Sequence, residues 1–528
     1  MIVRKAKSFV FVLSLQIAYN EPMSKVTVWI LGDQLLQSHP AIEVALERNA
    51  ADQLQILLIE SKGRLQRQPY QRKKLVLLLS AMRHYAERLR LDGLAVDYRA
   101  SSSFAAGLID HVKELGSGKI VTMACSSYEG REFQMNLQEH LGLPVELIAN
   151  TQFLAGRYNP IPSPEPDKRY VMEYFYRDMR GHFDVLMDDG EPAGGEWNYD
   201  EANRKRLPKE IEPPEPIRFG PDEITQAVME EVSGYETGVG SVDDFEYAVN
   251  HEEAEKALED FLNNRLGQFG PYEDALTKRS HAVFHSMLSP YLNLGLLESL
   301  SVINKVEDLY RSGAARIESA EGFIRQVLGW REFMYWQYWR QMPGMLDQNA
   351  WEADASVPEF FWDGETDLAC LAHALNRVIH TGYNHHIERL MVISNFFMLA
   401  GVKPRAANAW FLSMYIDAYD WVMPPNVIGM GLNADGGLTA TKTYIASANY
   451  INKMGDFCSD CTFDHKKRHG KNACPYNFLY WNFILKHEER LRANPRTARN
   501  VLSLRYLDEH DRELVQMEAQ DFLRDLNS

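Results

Sequence analysis

The hydrophobic period of this chain changes class partway along it, and that change limits the possible folds more than any other feature. From residue 24 to about 150, short apolar runs alternate with helical patterns, and strands are predicted at 26–31, 55–59, 95–98, 120–123 and 145–148. Between the second and third, Leu75, Leu78, Leu79, Met82, Tyr85, Ala86 and Leu89 recur at spacings of three and four, the apolar stripe of an amphipathic helix. Such alternation implies a doubly wound parallel sheet of the Rossmann-like kind, whose ligands sit outside the carboxyl ends of the strands. The first strand runs into Gly32-Asp33-Gln34 with no G-x-G-x-x-G, which argues against an ordinary dinucleotide site. From about 245 to 492 the period is helical almost throughout, with helices predicted at 252–266, 295–311, 322–340, 367–381, 386–400 and 404–419. The expected class is α/β plus all-α: an α/β domain over 24–150, a long linker over 151–244, and an all-helical domain over 245–528. Ten prolines between 158 and 221 mark the linker as partly extended, with helical character at 170–180.

Charge and composition narrow the functional classes. A length of 528 residues suits two to four domains, and 45% hydrophobic with 11% aromatic content excludes a disordered or coiled-coil chain. The net charge of −17 argues at first against a nucleic-acid partner. The average misleads, because residues 230–260 hold eleven acids against Lys256 alone. The loop 464–471, with Lys466, Lys467, Arg468 and Lys471 against Asp464, can then form a local basic face. At the N-terminus Arg4, Lys5 and Lys7 precede an apolar run at 9–18, which imitates a secretory signal without a clean cleavage site. Residues 1–23 are read as a disordered upstream extension, with Met23 as the physiological start. No other apolar stretch reaches the length of a membrane span, so a cytoplasmic protein, monomeric and without membrane contact, is expected.

The cysteines supply the first chemical signal. Five in the whole chain are too few for a disulfide scaffold, yet Cys458-Ser-Asp-Cys461 is followed at short range by Cys474-Pro475. A C-x-x-C turn aims two sulfurs at one ion, as zinc and iron–sulfur sites both require, and Pro475 leans toward the latter. By spacing alone, the fourth ligand is open among Cys370, His465, His469 and Cys125. The second signal is a set of polar residues among rings: His385-His386 with Arg389, then Asp417, Asp420-Trp421, Asn426, Tyr444 and Tyr450, and Arg325, Gln326 and Trp330 on one helix. Adjacent histidines point to different faces of a helix, so burial explains at most one of them.

Taken together, Ile30-Leu-Gly-Asp-Gln34, the R-Q-x-x-G-W-R-E-F run at 325–333, H-H-x-x-R at 385–389, D-A-Y-D-W-x-x-x-x-N-x-x-G at 417–429, Asn449-Tyr-Ile-Asn-Lys-Met454 and the cysteines resemble the iron–sulfur bacterial cryptochrome/photolyase family, typified by prokaryotic (6-4) photolyases. The resemblance covers residues 24–520. It implies an antenna-binding α/β domain and a helical domain holding a U-shaped FAD among His285, Ser286, Ser289, Glu321, Arg325, Arg389, Asp417, Asp420 and Asn426. Ser286 and Ser289 would meet the pyrophosphate, and Asn426 would face flavin N5. It selects Cys370 to join Cys458, Cys461 and Cys474 on a 4Fe–4S cluster. It implies light-driven repair of (6-4) pyrimidine–pyrimidone lesions in UV-damaged DNA, with His386 as proton donor, His385 beside it, and Tyr444 and Tyr450 lining the pocket. A pKa near working pH is expected of such a donor. Trp362 and Trp410 would carry electrons inward. Asp33, Gln34 and Glu60 would hold an antenna, 6,7-dimethyl-8-ribityllumazine in relatives. Two departures stand out: Phe411 occupies the place of a redox-active Tyr, and Lys62-Gly-Arg-Leu-Gln-Arg67 is more basic than that antenna pocket requires. The family also contains light-sensing cryptochromes, which keep the flavin, cluster and tryptophans without repairing DNA. His386, Tyr444, Tyr450 and the basic loop favour repair over that alternative.

Overall fold

The structure, a computed structural model, describes residues 25–526; the expected N-terminal extension lies outside the described residues. Five strands, β1 (Lys25–Ile30), β2 (Leu54–Ser61), β3 (Val96–Ser101), β4 (Ser117–Met123) and β5 (Val145–Ile148), form one parallel sheet in the order β3-β2-β1-β4-β5. Period-two alternation divides their side chains between two faces. Val28, Ile30, Ile56 and Leu58 pack toward the helix Arg72–Leu91, whose buried stripe includes Leu75, Leu79, Met82, Tyr85 and Leu89. Trp29, Leu57, Ile59 and Ile120 pack on the other face against Phe104 and Phe133. The strand order reverses between β1 and β4, and a crevice opens there between Gly32-Asp33 and Cys125-Ser126-Ser127.

Residues 151–244 are tied to the rest of the protein. Helix Met172–Phe183 packs on the turn Arg325–Arg331, where a Cβ on Gly329 would stand 3.0 Å from the Met172 sulfur and 3.3 Å from the Tyr176 ring, so any larger residue would press these side chains back. Phe153 stacks on Tyr335 with ring centroids 3.6 Å apart. A helix not anticipated from sequence, Glu223–Ser233, packs on Arg72–Leu91, and its Glu231 pairs with Arg83 at 2.6 Å.

The rest of the described chain, to Leu526, is helical. The predicted helices at 322–340 and 386–400 both occur, but each contains a π-helical turn, Arg325–Arg331 in one and Glu388–Ser394 in the other. A further π turn spans Pro425–Gly431. The helix predicted to reach 419 stops at Met414, because Tyr415 takes an extended conformation (φ −103°, ψ 133°). Among the described residues no helix is long and apolar enough to cross a membrane.

His39, just before the helix Pro40–Arg48, is 2% exposed and neither ring nitrogen has a hydrogen-bond partner. Burial, and then Arg88, push its pKa down to about 3. Its folded value lies below its unfolded one, so its stabilising contribution is complete above pH ~6.5 and is lost as pH falls toward the folded value. His39→Leu is expected to stabilise the protein, with the gap over wild type widening by about 2 kcal/mol between pH 7.5 and 5 in denaturant melts. A gap independent of pH would show that His39 does not titrate in this way.

Candidate active site and its neighbouring cavities

A cavity of about 280 Å³ lies inside the helical domain, and each of the π turns contributes to its wall. A π turn widens the helix, so residues five apart share a face. Gln326 with Arg331, and Arg389 with Ser394, reach the cavity in this way, and Asn426 joins them from the last turn. The opposite wall is the loop carrying His285 and Ser286. There Val283 (φ 51°) and Met287 (φ 58°) hold left-handed backbone conformations that cost non-glycine residues about 1–3 kcal/mol each. Strain of this kind, kept by the surrounding packing, marks a loop shaped by something other than stability.

At the centre, Arg389 and Asp417 form a bidentate pair, Nη1 to Oδ1 at 2.8 Å and Nη2 to Oδ2 at 3.0 Å. The Arg389 Nε also donates to the Asn384 carbonyl at 2.7 Å, and the guanidinium lies over the Tyr415 ring at 4.1 Å. Ser289 Oγ donates to Asp417 Oδ2 at 2.6 Å, and Asn293 donates to the Asp417 carbonyl at 2.8 Å. Asn426 Nδ2 donates to the Val422 carbonyl one turn back at 2.9 Å. The cavity thus has one fixed, fully hydrogen-bonded ion pair in a largely apolar shell.

The histidines divide as their adjacency demands. His386 lines the cavity and is exposed to it, while burial beneath the protein surface and the nearby Arg389 push its pKa down to about 4. It is therefore neutral at neutral pH, not poised near working pH as the sequence suggested. The physical reason is loss of hydration first and the Arg389 cation second. His385 does not reach the cavity: it is fully buried, stacked on the cavity residue His285 with centroids 4.7 Å apart and planes 10° apart, and neither of its ring nitrogens is hydrogen-bonded. Burial holds both of these imidazoles far below their ordinary pKa. His285 Nε2 is buried without a partner.

Several expected flavin contacts lie elsewhere. Glu321 and Arg325 sit one layer behind the wall, paired with each other at 3.3 Å; Arg325 reaches Glu273, which does line the cavity, at 3.8 Å. Asp420 faces a second cavity and pairs with Arg64. The cause is the early end of the helix at Met414: in a continuous helix residues 417 and 420 would share a face, whereas the extended Tyr415 lets them diverge. Tyr444 and Tyr450 do not line the cavity either. They are half-buried near Asp274, next in sequence to Glu273, and close enough to Arg204 to feel its charge. Glu273 itself gave no sequence signal, since it falls in an aperiodic loop. Burial pushes its pKa up to about 7, and Gln326 Nε2 donates to it at 2.6 Å.

The second cavity, about 470 Å³, occupies the crevice at the sheet's switch point and is closed by residues 418–420 of the helical domain. Asp33 lines it, receiving a hydrogen bond from Ser126 Oγ at 2.8 Å, and burial raises its pKa. Glu60 also lines it, held by Arg83 at 2.9 and 3.2 Å. Gln34 does not: it is fully buried with its amide nitrogen donating to the Ala124 carbonyl at 3.1 Å, a strut between β1 and β4.

Trp362, 36% exposed, and buried Trp410 line a surface groove; the Trp410 ring stands 5.1 Å from that of Phe411, which lines the first cavity. Cys370, Cys458, Cys461 and Cys474 line one small void together with Tyr476 and His465. Among the described residues no three His, Cys, Asp or Glu side chains are grouped so as to hold a metal ion. Burial pushes the Cys458 thiol up to about 11 and Cys474 to about 12, and Cys370 well above the usual thiol range. In the basic loop Lys466, Lys467 and Lys471 are exposed, whereas Arg468, still at the surface, is tied to the Tyr506 carbonyl at 2.8 Å and paired with Asp511 at 3.3 Å, which offsets its charge.

Similarity to known proteins agrees with this architecture. Residues 28–247 match the family described as deoxyribodipyrimidine photo-lyase-related protein. Over 508 residues, 95% of this chain and 99% of the relative, the sequence is 38% identical to the (6-4) photolyase of Agrobacterium fabrum. The fold is similar to the crystal structure of a bacterial class III photolyase from Agrobacterium tumefaciens, with TM-score 0.57 and 16% identity across 97% of this chain and all of that one. It is also similar to the Synechocystis sp. PCC6803 cryptochrome, with TM-score 0.59 and 16% identity across 82% of this chain and 86% of that one. A parallel-sheet domain whose switch-point cavity abuts a helical domain with its own deep cavity, joined to near-complete coverage of a relative at this identity, places the chain in the photolyase/cryptochrome family.

Proposed function

We propose that this protein is a DNA photolyase that uses light to repair (6-4) photoproducts in UV-damaged DNA. The observation that carries the reading is the full-length similarity to a (6-4) photolyase, with His386 turned into the deep cavity as its chemical complement. Family membership implies FAD. The first cavity fits it: the Arg389–Asp417 pair offers a fixed ionic edge, buried His285 Nε2 lacks a partner, and Ser286 and Asn426 add polar groups to the wall. Reduced FAD, when bound, supplies one electron on absorbing light.

The chain's own residues must then receive a flipped-out lesion, exclude water and deliver a proton. His386 is neutral in the free protein and must take up a proton from solvent as the lesion enters before it can deliver one. Negative charge arriving with the lesion raises its pKa, because an anion nearby stabilises imidazolium. Proton delivery is thereby tied to a loaded cavity. Gln326 and Glu273 line the same cavity, and Tyr444 and Tyr450, outside its lining, lie near Asp274. Trp362 and Trp410 share one surface groove and Trp410 meets Phe411 of the cavity wall, which supports inward electron flow through the tryptophans, with Phe411 as an unoxidised spacer.

The reading includes a 4Fe–4S cluster on Cys370, Cys458, Cys461 and Cys474. Its support is the convergence of the four thiols on one void. It also includes a lumazine-type antenna in the second cavity, supported by that cavity's place at the switch point against the helical domain. Lys466, Lys467 and Lys471 would contact DNA phosphates. Lys466→Glu with Lys467→Glu is expected to weaken binding to damaged and undamaged duplex alike and to lower the salt slope by about 1 per lost phosphate contact; unchanged affinity and slope would leave the loop without a DNA role. The reading as a whole is tested by an absorption spectrum of the purified protein, then illumination with (6-4) and cyclobutane oligonucleotides in parallel. Restoration of the (6-4) strand is expected; flavin without repair of either lesion would favour the light-sensing alternative.

A further inference from the structure

The tryptophans of the surface groove do not line the deep cavity themselves. Trp410 meets it through Phe411, whose phenyl ring an indole radical cannot oxidise. A different tryptophan does line the cavity: Trp421, 2% exposed. From it a file of rings with no phenylalanine among its members leads to the surface. The Trp421 ring centroid stands 5.9 Å from that of Tyr335, Tyr335 stands 6.2 Å from Trp339 one turn along the helix Glu332–Gln341, and Trp339 stands 6.3 Å from Tyr128 of the α/β domain. Each separation lies in the range of aromatic pairs in contact. Trp421 and Tyr335 are buried, whereas Trp339 and Tyr128 are half-buried. The outer end lies where the two domains meet, since the Tyr128 N–H donates to the Tyr338 hydroxyl at 2.7 Å.

Packing alone accounts for rings in contact, but two further observations give this file a direction. Trp339 Nε1 is buried without a hydrogen-bond partner, and the Arg131 guanidinium lies over the Trp339 ring at 4.9 Å. An electron vacancy on this indole has no base to take its proton and a cation pressing on it, so it does not rest there. Tyr128 is the reverse case. Glu132 follows it by one turn on the helix Tyr128–Leu141, and this carboxylate holds the Tyr128 phenol above its ordinary pKa. A phenol that loses an electron becomes a strong acid, and Glu132 is placed to receive its proton. We propose that Trp421, Tyr335, Trp339 and Tyr128 form a second electron-entry route into the deep cavity, independent of Trp362 and Trp410 and refilled by a small thiol at the domain junction. The inference rests on the flavin reading above. Trp421 gives one electron to light-excited oxidised flavin, Trp339 refills Trp421 across the Tyr335 ring, and Tyr128 refills Trp339 while its proton passes to Glu132. A dissolved thiolate then returns one electron to Tyr128 and Glu132 returns the proton, and the thiyl radicals couple in pairs to a disulfide.

The test is illumination of the oxidised full-length protein at low temperature with electron paramagnetic resonance, run beside steady-state photoreduction with dithiothreitol. Both are done in a Trp410→Phe background, which closes the groove route, and flavin content is measured on every variant as a check of folding. Trp362→Phe, at the exposed end of that groove, replaces this background should Trp410→Phe fail to hold flavin. The background variant is expected to retain part of the photoreduction and to trap a tyrosyl signal that narrows when ring-deuterated tyrosine is incorporated. Adding Tyr128→Phe is expected to replace that signal with a tryptophanyl one, because the vacancy then stops at Trp339. Adding Trp339→Phe instead is expected to abolish both the signal and the remaining photoreduction. Loss of all photoreduction in the flavin-loaded background, or the same radical and rate after either addition, would overturn the route while leaving the flavin reading in place. Purified wild type without flavin would overturn that reading, and this inference with it.

Discussion

Replacing His386 with alanine is expected to abolish nearly all repair while leaving the flavin site and lesion binding intact. The imidazole is the histidine of this chain that lines the deep cavity with its ring exposed there, and its removal breaks no hydrogen bond that holds the fold. Proton delivery contributes about 10²–10⁴-fold to a rate. Here the return of the electron competes with it, so lesion restored per absorbed photon should fall by at least that range. His385→Ala is expected to behave differently. Its ring is fully buried against His285, so truncation opens a void behind the cavity wall and should lower thermal stability and flavin retention more than the photon yield of the protein that remains folded. Equal repair by wild type and His386→Ala would remove the histidine from the mechanism. If repair by wild type depends on His386, its yield should also decline with rising pH through an apparent pKa well above the value of about 4 held in the free protein, because the bound lesion's charge favours imidazolium.

Cys458→Ser and Cys474→Ser are expected to cost the protein its fold as well as the proposed cluster. Both thiols are pushed upward by burial, so thiolate at either position requires a cation beside it. The two lie at the ends of a loop that also carries the basic residues, and Cys370 joins them from the helix Ala369–Thr381; the void they surround is thus a junction of three otherwise separate segments. Structural metal sites supply on the order of 10 kcal/mol, as much as a whole domain has to spare. Each variant should therefore appear mainly as insoluble or colourless protein. Cys125→Ser is the control, since Cys125 lines the second cavity 3.3 Å from Ser127 Oγ, far from that junction, and should retain iron and sulfide. Stoichiometric zinc in a folded, anaerobically prepared wild type would replace the cluster with a single-ion site.

The helix Pro404–Met414 and the turn after it organise these parts. Trp410 faces the groove, Phe411 the deep cavity and Leu412 the second cavity, so neighbouring residues of one helix border all of them. Past Met414 the chain alternates again, with Asp417 and Trp421 on the deep cavity and Ala418, Tyr419 and Asp420 on the second. The two cavities therefore share this stretch of chain as a common wall.

What the amino-acid sequence determined by itself was whatever depends on local periodicity or on residues close in the chain. The five strands, the stripe of the helix Arg72–Leu91, the switch to all-helical structure and the C-x-x-C turn followed by Cys474 were all legible, because an amphipathic pattern or a short spacing acts over one or two turns. So was the divergence of His385 from His386. Only the tertiary structure decided which residues meet. The π turns at Arg325–Arg331, Glu388–Ser394 and Pro425–Gly431 leave no mark on a helical period, yet they rotate Gln326, Arg389 and Asn426 onto a common wall. The end of the helix at Met414 sent Asp417 and Asp420 to different cavities, and burial among distant segments set the neutral state of His386 and the raised pKa of Glu273. Facing and charge state depend on neighbours hundreds of residues away, and a pattern read along the chain contains no term for them.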